Sequence, residues 1–176
     1  MKMKNVWLAG LLATGLVFTA CDKDKENDET ANAQDRTFAL QASQSNRSEI
    51  QLSQMALTQA ADNGIKAYAQ AMVDHHTMAE TELKDIADDI DLDVNLNDTL
   101  APDQVALRNR LMGLAGAGFD SVYINGQVMS HQKTLTIFDA QLSGGMNAKL
   151  RQYATEKRPV IAMHLQMADS LAAVVQ

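Results

Sequence analysis

The chain of 176 residues has one cysteine, two prolines and few aromatic residues, which make up 5% of the total. Each shortage excludes something. A lone Cys21 has no partner within the chain, so no disulfide scaffold holds the fold. With only Pro102 and Pro159 to interrupt them, long stretches are free to be helical. The scarcity of aromatics predicts a core of Leu, Ile, Ala and Met. No stretch alternates apolar and polar residues as a half-buried strand would, and no repeat of solenoid period appears.

Long apolar runs are also missing, with one exception near the N terminus. Lys2 and Lys4 precede an apolar run from Val6 to Ala20, the length of a signal-peptide core and short for a membrane span. The run closes on Val17-Phe18-Thr19-Ala20-Cys21, which resembles a lipobox with Phe18 in place of the usual leucine. The expectation is a lipoprotein signal peptide over residues 1–20, removed on export, and a lipid on Cys21 that anchors the chain to a membrane without spanning it. The expected location is the bacterial cell envelope, facing the periplasm or the cell surface, with the outer membrane favoured.

Positive charge is scarce too. Removing Lys2 and Lys4 leaves 13 basic and 22 acidic side chains, a formal charge of −9. Nucleic acid and anionic lipid surfaces are therefore poor partners, and cations are better ones.

What is present is helical periodicity. Residues 21–35 carry no large apolar side chain and read as a flexible acidic tether. The domain follows, over residues 36–176. Its first helix is expected over 47–62, with an extension from Arg36, and its second over 65–88 after Asn63-Gly64. An Asp/Asn-rich loop over 89–101 leads to a short helix from Pro102 to Leu114. The third long helix is expected over 119–142, and the last starts after Asn147 and runs to about Val174, with Pro159 expected to kink or restart it. Four long amphipathic helices with two tight turns predict an all-α, antiparallel four-helix bundle. A short extra helix occupies the long connection between the second and third long helices.

Three of these helices carry a histidine on an otherwise apolar stripe. One stripe reads Ile65, Ala69, Met72, His76, Ala79, Leu83 and Ile86. Another reads Ile124, Val128, His131, Leu135 and Phe138, and the last Ile161, His164, Ala168 and Leu171. Imidazole is a common metal ligand. In an antiparallel pair His76, 13 residues after Asn63, stands level with Glu49, 14 before it, so Glu49 is the natural carboxylate to join the histidines. By the same count His131 lies 14 residues before Gly145 and His164 lies 19 after it, a mismatch of roughly 7–8 Å at helical rise.

Methionines cluster near these histidines. Met72 and Met78 flank His76, Met129 precedes His131, and Met163 and Met167 bracket His164. Thioether and imidazole together suit copper, especially Cu(I), while methionine also fills helix cores. His75 points to a flank of its helix, beside Asp74. The Glu-x-x-His motif of di-iron bundles is absent, as is His-Glu-x-x-His. No serine sits in a nucleophile context, so an enzyme ranks behind the two readings carried forward. One is metal or small-ligand binding by Glu49, His76, His131 and His164, with His75, Met72, Met129, Met163 and Met167 around them. The other is a non-catalytic envelope-stress or interaction module whose histidines are structural.

The order and spacing of several pieces resemble a bacterial exported family, the domain of unknown function four-one-four-two, over roughly residues 36–172. The pieces are Glu49-Ile50, Met72-Val73, His76-Thr77, Phe119-Asp120, Tyr123, His131-Gln132, Pro159 and His164-Leu165. The resemblance implies a ferritin-like fold and matches Glu49, His76, His131 and His164 to family positions. That family usually has aspartate directly before the second-helix histidine, where this chain has His75. The doubled histidine is also similar to that of related ferritin-like proteins, some linked to copper.

Overall fold

The computed structural model describes residues 30–96 and 100–175. The expected signal peptide, Cys21 and most of the expected tether lie outside the described residues. Within them the chain is all helix and no strand, with five helices. These are α1 (Ala33–Gln59), α2 (Asn63–Asp89), α3 (Pro102–Leu111), α4 (Gly116–Gly144) and α5 (Ala148–Ala172). None of them is long and apolar enough to cross a membrane.

Local chemistry sets the helix ends. Asn32 caps α1 in a reciprocal box, its side chain accepting from Asp35 N–H while Asp35 accepts from Asn32 N–H. The helix thus starts at Ala33, inside the segment expected to be tether, because Asn32 and Asp35 supply the cap. Asp62 caps α2 by accepting from Ile65 N–H, and Asn147 caps α5 by accepting from Lys149 and Leu150 N–H. Pro102 occupies the first turn of α3, where its missing donor costs nothing.

Pro159 neither ends nor restarts α5, which is assigned as one helix through it. The residue is exposed, as is Thr155 one turn earlier. The carbonyl that loses its amide donor faces solvent, which lowers the cost of the break.

The helices form a bundle in which α1 packs on α2 and α4, and α5 packs on α4 and α2. α3 lies on α4, where Gly126 admits it: a Cβ there would stand 2.6 Å from Leu107 Cδ2. Two apolar clusters fill the interior. One joins Leu52, Ile65, Tyr68, Met72, Leu111, Phe119, Tyr123, Ile124 and Ala168. The other joins Phe38, Leu83, Phe138, Leu150, Tyr153 and Ile161, with Phe38 edge-on to Phe138 at 5.0 Å between ring centroids. Each long helix contributes to one cluster near its start and to the other near its end. The order reverses from α1 to α2 and from α4 to α5, so paired helices run antiparallel.

Burying each large side chain stabilises the fold by about 1.5–3 kcal/mol. Yet between the clusters, on all four long helices, the buried residues are polar. They are Asn46 and Glu49 on α1, His76 on α2, Gln127, Ser130, His131 and Thr134 on α4, and His164 on α5. This layer holds the candidate site.

Candidate metal centre

His76, His131 and His164 are buried and converge, with one ring nitrogen of each within 4.8 Å of those of the other two. Ring centroids lie 5.4 Å apart for His76 and His164, 5.5 Å for His131 and His164, and 5.9 Å for His76 and His131. The register mismatch expected for His164 does not arise. His131 lies 13 residues before the end of α4 and His164 lies 16 after the start of α5. The difference is only about 4.5 Å of rise. Helical side chains lean toward their own N terminus. In an antiparallel pair, that tilts His131 away from the connecting turn and His164 toward it, closing the gap.

The same count moves Glu49 out of place. α1 ends at Gln59 and Ala60–Asp62 are not helical. Measured from the true helix ends, His76 is 13 residues into α2 and its level partner is Asn46, 13 before Gln59. Asn46 Oδ1 accepts from His76 Nδ1 at 2.9 Å. Glu49 sits about one turn nearer the α1–α2 connection, where its Oε1 accepts from Ser130 Oγ at 2.5 Å. Glu49 is therefore buried beside the cluster and is not one of its converging atoms.

The hydrogen bonds assign His131 and His76, and the contact to His75 is compatible with a proton on His164 Nε2. The Gln127 carbonyl can only accept, so the 2.9 Å contact to His131 Nδ1 places the proton on that nitrogen. Asn46 donates through Nδ2 to the Tyr153 hydroxyl at 3.3 Å, so its Oδ1 accepts from His76 Nδ1–H. His164 Nε2 meets His75 Nδ1 at 2.9 Å, and a proton on His164 Nε2 satisfies that contact. The remaining nitrogens, His76 Nε2, His131 Nε2 and His164 Nδ1, are buried and have no hydrogen-bond partner among the described residues. In these neutral tautomers all three carry lone pairs. Such orphaned atoms are rare inside proteins and costly.

Burial and neighbouring imidazoles disfavour protonation of His76 and His164. Burial, then the neighbouring His131, His164 and His75, push the His76 pKa well below the usual imidazole range. Burial, then His131 and His75, push His164 down to about 3. Burial and the Glu49 carboxylate both raise Tyr68, and Tyr123 is raised chiefly by burial, against its bond to Ser53.

The methionines divide. Met72 packs in the apolar cluster with Leu52 and Ile65. Met129 is 71% exposed and Met167 38%, so both project toward solvent. Met129 stands two before His131, a position that a helix turns away from the core. Only Met78 and Met163 border an open cavity of about 400 Å³ between α2 and α5 that reaches His75, His76 and His164.

A family model described as "Domain of unknown function (DUF4142)" matches residues 21–171. The chain belongs to that family. No curated protein and no solved structure matches it significantly. His75 stands beside the cluster as expected, whereas the placement of Asn46, Gln127 and Ser130 around the three histidines is not among the sequence expectations. Asn46 falls on the stripe Ala39, Ala42, Asn46, Glu49, Ser53 and Ala56, which is visible once the extension from Arg36 is continuous with the first helix.

Proposed function

We propose that this DUF4142 member is a lipid-anchored protein of the bacterial cell envelope that holds one transition-metal ion among His76, His131 and His164. Its four long helices would form a ferritin-like antiparallel bundle, with α3 as the extra short helix. The lipid on Cys21 would be its membrane partner. The observation that carries the metal reading is the convergence of three buried histidines, one ring nitrogen of each within 4.8 Å of the others, with one nitrogen of every ring bonded and the other unpartnered among the described residues. Metal-binding histidines are held in this way, with the far nitrogen donating to a carbonyl or another acceptor.

Metal–imidazole bonds of about 2.0–2.1 Å bring tetrahedral nitrogens roughly 3.3 Å apart. From a separation of at most 4.8 Å the rings need to close by no more than about 1.5 Å. Imidazole suits copper, zinc, iron and nickel, and Cu(II) heads the affinity order for a nitrogen site. Three protein ligands would leave a fourth position open. Glu49 Oε2, buried and unpartnered, would offset the ion's charge from outside the ligand set.

The competing structural reading requires both nitrogens of each ring to find local partners, and three of the six do not. The deciding experiment is calorimetric titration of metal-free protein, purified without a histidine tag, with Cu(II) and Zn(II). One ion per chain, bound tighter than micromolar and lost in His131→Gln and His164→Gln, supports the reading. Binding weaker than micromolar for both ions overturns it.

A further inference from the structure

The cavity between α2 and α5 is a recess of small-molecule size beside the histidine cluster, bordered by His75, His76 and His164 but not by His131. On the side of the cluster it is bordered by His76, His164 and Asn46. Its walls include Phe138, Tyr153, Ile161, Val160 and the exposed Met78 and Met163. At about 400 Å³ it falls toward the small end of the roughly 300–1,000 Å³ typical of small-molecule sites. Across it, Lys157 pairs with Glu82 at 2.5 Å and lies 5.6 Å above the Tyr153 ring centroid.

We propose that this cavity binds a small aromatic anion whose donor atom completes the coordination of the ion held by His76, His131 and His164. The inference rests on the metal reading above. Its chemistry follows from three features. Two aromatic rings and two thioether side chains offer flat, polarizable walls. Three neutral imidazoles leave the charge of a divalent ion uncompensated within the ligand set, which favours an anionic fourth donor such as a carboxylate or phenolate. Glu49 does not line the cavity and is not among the converging ligand atoms, so it does not supply that donor.

The test uses the protein loaded with Co(II), whose visible absorption reports the ligand set. Metal affinity is measured first, by titration. Benzoate is then added, with acetate and benzyl alcohol as separate arms. Benzoate is expected to shift the cobalt bands and to bind at least about tenfold more tightly than acetate, which has the donor without the ring. Benzyl alcohol, with the ring and no charge, is expected to leave the bands unchanged.

Two variants fill the recess without touching a ligand: Val160→Trp on its wall and Met78→Trp at its exposed rim. Both should retain the parent's cobalt affinity and weaken benzoate by about tenfold or more. The second variant guards against misfolding in the first, because Met78 is 62% exposed. Equal affinity for benzoate and acetate overturns the proposal and leaves the metal reading standing. So does benzoate binding unaffected by either tryptophan. Failure of the parent to take up cobalt, copper or zinc overturns both.

Discussion

Two kinds of buried polar group occur in this bundle, and they are treated differently. At the ends, Asp35 and Asp120 clamp the helix connections. Asp35 accepts from the backbone N–H groups of Asn32, Met146 and Asn147 and from Gln141 Nε2. It thereby ties the start of α1 to the α4–α5 turn. Asp120 does the same at the other end, accepting from Ala61 and Asp62 N–H. Both oxygens of each carboxylate are bonded. In the middle layer, by contrast, His76 Nε2, His131 Nε2, His164 Nδ1, Glu49 Oε2 and Gln127 Nε2 have no partner among the described residues.

Burial costs are of the same kind in both places, so the difference is not one of environment. The two clamp carboxylates are fully bonded by the fold, while Gln141 beside Asp35 leaves its Oε1 without a partner among the described residues. A layer left with several convergent, unbonded atoms is one that the fold alone does not complete. The fold subsidises that layer with two apolar clusters and two bonded carboxylates.

Removing a clamp should therefore have the largest effect on stability. Asp35→Ala leaves four buried or half-buried donors without an acceptor. A loss of about 3–5 kcal/mol is expected, lowering the melting temperature by on the order of 10 °C for a domain of this size. Metal affinity of the folded fraction should be unchanged. Thermal melts of the parent and the variant check this, and an unaltered melt would erase the contrast between ends and middle.

Removing a middle-layer histidine should do the opposite. His131→Leu deletes an orphaned nitrogen along with one satisfied bond, so the metal-free protein should melt close to the parent. The metal-dependent gain should vanish. At free metal about 100 times the dissociation constant, the parent gains about 2.7 kcal/mol. The informative comparison is the parent and variant melts with and without Zn(II). A variant still stabilised by the metal would place the ion elsewhere.

Acid should separate the two kinds of group. His76 and His164 have depressed folded pKa values, so the unfolded chain binds more protons than the folded one. Their stability contribution is present above the unfolded value of about 6.5 and is lost as pH falls below it. For His164 the loss continues to about 3. His75, His131 and the Glu49 carboxylate adjoin these rings, so the curve belongs to the cluster. Asp35 is also depressed: its bonds from Gln141, Asn32, Asn147 and Met146 outweigh burial, which acts to raise it. Its contribution is lost only below the ordinary carboxylate range. Denaturant midpoints from pH 7 to 4 should fall in the metal-free parent by up to about 1.4 kcal/mol per pH unit for each proton taken up. The slope should be shallower in His164→Gln. Parallel curves would mean that His164 is not held neutral by the fold.

The helices were largely legible because their signals are local: apolar spacing, Asn63-Gly64, Pro102, Ser143-Gly144-Gly145 and the Asn147 cap. The three histidines were legible for the same reason, as breaks in apolar stripes. What could not be read was height. Counting from Asn63 in place of Gln59 moved the level of α1 by one turn and selected Glu49 where Asn46 stands. Counting Cα positions without the lean of side chains set His164 apart from His131. The first error is about one helical turn and the second about one and a half, and ligand geometry is decided on a finer scale than either. The methionines misled for a different reason. Proximity in sequence to a buried histidine says nothing of the face, and residues two before or one before it point elsewhere on a helix.

The smallest expected effect bears on that last point. Met129 lies two residues before His131 and is 71% exposed, whereas Met163, one before His164, is 44% exposed and borders the cavity. Met129→Leu replaces one exposed apolar side chain with another of similar size. Stability should stay within about 0.5 kcal/mol of the parent, and affinity for Cu(I) and Cu(II), measured by competition with a chromogenic chelator, should not change. Met163→Leu should also leave Cu(II) unaffected, since three imidazoles suffice for a borderline ion. It should weaken Cu(I) alone if the thioether swings in from the cavity wall, because only the softer ion prefers sulfur. A loss of Cu(I) affinity in Met129→Leu would require α4 to turn that face inward. It would contradict the division between exposed flank and polar layer on which the site rests.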